Sequence, residues 1–240
     1  MSLTINAIPI FSDNYAWALH DTATGKTALI DPGEAGPIRT YLDRHGHRLD
    51  FILLTHHHAD HINGADALRQ HYGARIIGPA DSRLQVLVDC VVQDREPISL
   101  GESKGYALAT PGHTLSHMCY YFSSPPTLFC GDTLFSLGCG RLFEGKAEQL
   151  YESFQKISTL PPQTKICCGH EYTLANADFA LHVDPHNSAL HKRMIQIRRL
   201  RSEGLPTLPS TLEQELTTNP FLRAPNALTL KRLRQEKDVF

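Results

Sequence analysis

Short apolar runs separated by turn residues fill the first two thirds of the chain. Residues 27–30 lead into Asp31-Pro32-Gly33, which reads as a strand entering a turn. Residues 51–54 form an apolar run too short for a helix. Residues 75–77 precede Gly78-Pro79, residues 106–109 precede Pro111-Gly112, and residues 165–168 precede Gly169. Runs at 118–122 and 127–130 flank Ser123-Ser124-Pro125-Pro126 and read as a hairpin. Between these strands, apolar spacing predicts helices over 62–72 and 147–158.

After Gly169 the pattern changes. Residues 172–182 and 187–203 repeat apolar side chains at helical spacing. Ser210-x-x-Glu213 reads as a capping box opening a short helix, and residues 226–237 predict a last one. The expected fold is α/β, with mixed sheets flanked by helices, followed by a smaller helical region. The boundary is expected near residues 165–175.

Composition narrows the function more than the fold. The 240 residues suffice for one large core or two modest ones. A hydrophobic fraction of 41% and a charged fraction of 20% are those of an ordinary globular protein. A net charge of −2 offers no bulk attraction to nucleic acid or anionic membranes. No stretch approaches the ~20 apolar residues of a membrane span. Met1-Ser2-Leu3-Thr4 shows no basic region followed by an apolar run, so a cytoplasmic location is expected. Six cysteines occur without a C-x-x-C pair and read as buried small hydrophobes in a reducing compartment.

The 14 histidines are unevenly spread. His56-His57-His58-Ala59-Asp60-His61 directly follows the apolar run 51–54. In an extended segment alternate side chains share a face, so His56 and His58 can address one ion while His57 turns away. Asp60 and His61 lie where the chain turns towards a helix beginning near residue 62, and can reach a second ion. Three further segments place a glycine and a ligand-type residue after an apolar run: Pro111-Gly112-His113, Cys130-Gly131-Asp132 and Cys168-Gly169-His170. Glycine allows close backbone approach and sharp turning. His56, His58 and His113 would serve one ion. Asp60, His61 and His170 would serve the other, with Asp132 bridging. That leaves room for solvent on each ion, as catalytic sites require. Imidazole with carboxylate suits zinc, the default here, and also iron or manganese. His57 and His117 are read as supporting rather than ligating residues.

These residues resemble the metallo-β-lactamase superfamily. Over essentially its whole length the chain is similar to the glyoxalase II family within it. The resemblance is carried by Ser12-Asp13-Asn14-Tyr15, Leu29-Ile30-Asp31-Pro32-Gly33, the 55–61 segment, Gly131-Asp132-Thr133-Leu134-Phe135 and Gly138-Cys139-Gly140-Arg141. It continues through Cys168-Gly169-His170-Glu171-Tyr172, Asn219-Pro220-Phe221-Leu222-Arg223 and Arg234-Gln235-Glu236-Lys237-Asp238. It implies an αββα sandwich with a binuclear site at one edge over residues 1–168. A helical substrate-binding region would follow over 169–240.

The resemblance further implies hydrolysis of S-(2-hydroxyacyl)glutathione, such as S-D-lactoylglutathione, to glutathione and D-lactate, the second step of methylglyoxal detoxification. The family's glutathione-holding residues fall on Arg141, Phe143, Tyr172, Arg234 and Lys237. Phe143 stands where some members carry Tyr, and Arg141 where others carry Lys. Residues 187–240 hold ten Lys or Arg against five Asp or Glu, a charge balance suited to a substrate with two carboxylates. A solvated helix face would have the same composition.

The expected mechanism is metal-assisted attack by a hydroxide held between two ions, with Asp60 and Asp132 as catalytic carboxylates. Redox chemistry at iron and other hydrolases of the fold, lactonases or nucleases, are the rival readings. The expected protein is a monomer that acts on a small molecule and binds neither nucleic acid nor membrane.

Overall fold

The computed structural model describes residues 3–240; Met1 and Ser2 of the N-terminal stretch read above lie outside the described residues. Two six-stranded sheets face one another. The first runs β1 (Leu3–Ile10), β2 (Asn14–Asp21), β3 (Lys26–Ile30), β4 (Phe51–Leu53), β5 (Arg75–Pro79) and β6 (Cys90–Val92), in that spatial order. β1 to β3 pair antiparallel with one another, and β3 to β6 pair parallel. Parallel neighbours need crossovers. Here α1 (Ala35–His45) links β3 to β4, and α2 (Ala59–Ile62) with α3 (Ala65–Tyr72) links β4 to β5.

The second sheet contains β7 (Pro97–Leu100), β8 (Ser103–Ala109), β9 (Met118–Ser123) and β10 (Pro126–Gly131). A two-stranded ribbon, β11 (Leu134–Phe135) with β12 (Gly138–Cys139), and helix α4 (Ala147–Ser158) follow. Strand β13 (Lys165–Cys168) then lies parallel to β10. The C-terminal segment contains α5 (Thr173–Val183), α6 (Ser188–Ser202), β14 (Ser210–Thr211), α7 (Leu212–Thr218) and α8 (Ala227–Val239).

Period-two alternation separates the layers. On β2, Tyr15, Trp17 and Leu19 point between the sheets, where Trp17 meets Phe129, itself packed on Phe122, of the second sheet. Ala16 and Ala18 face outward and meet Ile38 and Leu42 of α1 and Leu68 of α3. Phe154 and Ile157 of α4 cover the second sheet, completing the αββα arrangement that the resemblance implied. Leu208, Leu212, Phe221 and Leu230 of the C-terminal segment enter the same core. β14 pairs with β13 and extends the second sheet.

Local details differ from the sequence reading where tertiary contacts intervene. The helix read over 62–72 is broken at Asn63-Gly64. A Cβ on Gly64 would sit 2.5 Å from the Pro32 carbonyl oxygen, so the chain there is pressed against the β3 exit loop. Asp60 and His61 belong to the first helical turn rather than to the approach to it. The capping box is Thr211 with Gln214, one residue on from Ser210 and Glu213.

Candidate metal centre

The site lies at the sheet edge where β3, β4, β10 and β13 end. Parallel strands deliver their C-terminal ends to one side, so residues far apart in sequence emerge together. The turns there require glycine. At Gly131 (φ +45°) a Cβ would sit 2.4 Å from Thr55 Oγ1, and at Gly169 it would sit 2.6 Å from Asp132 Oδ1.

The seven residues singled out above all come to this edge. Ligand atoms of His56, His58 and His113 converge, as do those of Asp60, His61 and His170; within each group they lie within 4.8 Å of one another. His56 Nε2 and His113 Nε2 each lie 3.0 Å from His58 Nδ1, roughly the spacing of ligands around one tetrahedral ion. Asp132 stands between the groups. Its Oδ1 is 3.4 Å from His61 Nε2, and its Oδ2 is 3.6 Å from His113 Nε2 and 3.4 Å from His170 Nε2.

The outer nitrogens of four of these rings, His56, His61, His113 and His170, meet protein oxygens, which fixes each ring and aims the other nitrogen inward. Thr55 Oγ1 donates to Asp31 Oδ2 at 2.6 Å and so accepts from His56 Nδ1 at 2.9 Å. His113 Nδ1 donates to the Arg141 carbonyl at 2.8 Å, and His61 Nδ1 to Asp31 Oδ2 at 3.0 Å. His170 Nδ1 lies 3.2 Å from Asp13 Oδ1. Asn14 Nδ2 donates to Asp60 Oδ2 at 2.8 Å.

Asp31 also lies close enough to His56 and His61 to form a third group. Its carboxylate, however, is spent on Thr55 and His61, so it orients a ligand rather than providing one. The sequence reading gave no role to Asp31, Thr55, Asp13 or Asn14. The available signal was Asp31 at a strand end before Pro32-Gly33, where the structure places it at φ +51°. His117 accepts from the Asp132 backbone N–H at 3.2 Å, and its Nδ1 meets Thr133 Oγ1 at 3.0 Å. His57 points away from the centre, towards Asp81 and Glu144.

The electrostatics fit a divalent cation. Burial, then the neighbouring His113 and His57, pushes His58 down to about 4, leaving it a neutral ligand. Burial also drives His56 well below its usual value. At His170, burial opposes protonation, but hydrogen bonding to Asp132 and Asp60 outweighs it and lifts the imidazole to about 10. Positive charge at that spot is therefore stabilised by two carboxylates. Among the described residues, the buried atoms His61 Nε2 and Asp132 Oδ1 have no hydrogen-bond partner, and both face the centre. Unpartnered buried donor atoms aimed at one point are what a bound cation would satisfy. The cluster is a divalent-metal site by its chemistry.

A cavity of about 390 Å³ opens beside the cluster, and its lining includes His113 and Asp132 together with Arg141, Arg234 and Lys237. Tyr172 stacks on His170, with ring centroids 4.6 Å apart and planes 8° apart. Phe143, 61% exposed, stands edge-on to His58 and His113 at the mouth. The three cations differ in freedom. Arg234 is buried and already bonded to the Cys139 carbonyl at 2.8 Å and to Asp238. Lys237 Nζ donates to the Ala175 carbonyl and lies over the Phe179 ring. Arg141 is largely exposed, 3.5 Å from Asp238. Among the described residues no helix is long and apolar enough to cross a membrane.

Residues 13–85 and 87–170 match the family model "Metallo-beta-lactamase superfamily", and residues 171–240 match "Hydroxyacylglutathione hydrolase C-terminus". The chain is 48% identical to the hydroxyacylglutathione hydrolase of Acidiphilium cryptum, covering 99% of this chain and 97% of that one. It is 43% identical to that of Methylococcus capsulatus, covering 99% of each. Among solved structures it resembles ETHE1 from Myxococcus xanthus, with a TM-score of 0.74, 24% identity, and coverage of 97% of this chain and 90% of that one. It also resembles the BLEG-1 B3 metallo-β-lactamase, with a TM-score of 0.68, 24% identity, and coverage of 91% and 99%. With family models spanning the site and the helical segment, and full-length relatives above 40% identity, the chain belongs to the hydroxyacylglutathione hydrolase family of the metallo-β-lactamase superfamily.

Proposed function

We propose that this chain hydrolyses the thioester of S-(2-hydroxyacyl)glutathione, such as S-D-lactoylglutathione, releasing glutathione and a 2-hydroxy acid. One observation carries the reading: a single cavity joins the His/Asp cluster to Arg141, Arg234 and Lys237. A thioester carbonyl at the cluster would leave the glutathione carboxylates beside those cations.

His56, His58 and His113 would hold one ion and Asp60, His61 and His170 a second, with Asp132 standing between the two groups. Zinc is the proposed metal; the donor set also accepts iron and manganese, and elemental analysis distinguishes them. Zinc so bound lowers the pKa of water to about 7 and polarises a carbonyl. The chain's own groups then do the positioning. Asp60 is held ionised: burial opposes this, but hydrogen bonding to His170 and the adjacent His61 prevail. Asn14 fixes its orientation, so Asp60 can accept a hydrogen bond from the attacking water. Asp132 is likewise held well below the usual carboxylate range; burial opposes ionisation, and His61 and His170 outweigh it. Tyr172 and Phe143 line the same cavity as the three cations and would contact the glutathione part of the substrate. The thiolate of glutathione leaves readily, so no strong general acid is required.

Purified enzyme should hydrolyse S-D-lactoylglutathione and carry up to about two ions per chain. An inert thioester combined with cleavage of a phosphodiester would overturn this reading in favour of a nuclease. At most one ion after metal loading would overturn the binuclear assignment.

A further inference from the structure

The buried polar network between the helical segment and the metal-bearing sandwich plays no part in the chemistry above. Glu215 of α7 is fully buried and Arg193 of α6 nearly so. Arg193 donates to Glu215, to Thr218 Oγ1 at 2.6 Å and to Ser136 Oγ at 2.8 Å. The other Glu215 oxygen accepts from the Leu137 backbone N–H at 2.8 Å and from Asn219 Nδ2 at 3.1 Å. Asn219 Nδ2 also reaches the Phe135 and Gly138 carbonyls, at 3.1 and 3.0 Å. Every residue from 135 to 138, the turn joining β11 to β12, is thus gripped from α6, α7 or the residue after α7.

That turn is unusual in itself. Leu137 sits at φ +59°, a conformation a leucine keeps only where its surroundings over-determine it. Its neighbours form a wall of the cavity. Phe135 meets Tyr172 edge-on at 5.4 Å, and the Cys139 carbonyl holds Arg234. A buried ion pair is weak evidence for a role in stability, because apolar residues of equal volume often serve as well. Apolar residues could not hold the Leu137 N–H or fix Arg193 on Ser136.

We infer that Glu215 and Arg193 are positioning residues for the substrate: through the 135–139 turn they place Phe135 and the Arg234-bearing Cys139 carbonyl against the glutathione moiety. This rests on the hydrolase reading above. The test uses full-length Arg193→Met/Glu215→Met, which replaces the pair by apolar side chains of similar volume. Hydrogen exchange at the Leu137 amide should quicken. KM for S-D-lactoylglutathione should rise roughly ten- to a hundredfold, the scale of a misplaced binding group. Metal content, kcat and turnover of a small thioester lacking the peptide should hold. A wild-type KM, unchanged exchange at Leu137, or an equal loss on both substrates would overturn the inference. If the double variant does not fold, Ser136→Ala removes the Arg193 tie alone. A smaller rise in KM at constant kcat then supports the inference, and no rise overturns it. Failure of the hydrolase reading is distinguishable, because the unaltered enzyme would then be inert towards the glutathione thioester before any variant is made.

Discussion

Arg234 and Lys237 are one helical turn apart on α8, yet their surroundings give them different work. Arg234 is committed to the Cys139 carbonyl, to Asp238 and to the face of Phe221, so it builds the cavity wall. Lys237 is half-buried and has one backbone acceptor, leaving donors for a substrate carboxylate. Lys237→Ala should therefore raise KM for the glutathione thioester about tenfold with kcat nearly unchanged, the signature of a contact equal in ground and transition states. Its thermal midpoint should stay close to that of the parent. Arg234→Met should raise KM and also lower the midpoint, since it leaves the buried Cys139 carbonyl unpaired. Steady-state kinetics beside melting curves separate the two. Equal behaviour of both variants would show that the structure misassigns their roles.

At the scale of elements, the two sheets are tied by more than apolar contact. Asp21 at the end of β2 accepts from the Ala23 and Thr24 N–H groups in the following turn. It also accepts from Ser103 N–H and Oγ at 2.9 and 2.7 Å, at the start of β8 in the facing sheet. Burial opposes its ionisation, but the bonds from Ser103 and Thr24 outweigh burial and hold the carboxyl down to about 2. A native value below the unfolded one of about 3.9 means that the stabilisation is complete above that pH and is lost as pH falls towards 2. Asp21→Asn should cost about 1.5–3 kcal/mol near neutral pH, measured by denaturant unfolding. The gap to the parent protein should close in acid. A gap constant with pH would rule out the ionised carboxylate as its source.

For the whole molecule, the helical segment and the sandwich share a core, a sheet and a cavity wall, so ligand binding at the centre is linked to global stability. An ion present at a hundred times its Kd adds about 2.7 kcal/mol. For a chain of this size that corresponds to roughly 5–11 °C in the thermal midpoint. Chelation should lower the midpoint by that order, and re-addition of metal should restore it. Removal of metal with no change in midpoint would mean that the cluster does not couple to folding.

Much of the site was legible in the sequence because it depends on local geometry. Alternation along an extended segment puts His56 and His58 on one face and His57 on the other within three residues, whatever the rest of the chain does. Glycines mark the turns at 112, 131 and 169 because only glycine allows the close approaches found there. Strands and helices with clear periodicity were readable for the same reason. Tertiary structure decided what depends on partners distant in sequence. Asp31, Asp13 and Asn14 orient ligands only because β2 and β3 lie beside β4 and β13, and no spacing within the sequence encodes that neighbourhood. Arg193 looked like one cation on a basic surface. It turns inward because Glu215, 22 residues away, waits there as a buried acceptor. A residue's type limits what it can bond to, but burial and partner are properties of the packed molecule. The chain alone therefore determined which chemistry was available, and the fold decided which groups carry it and which hold them in place.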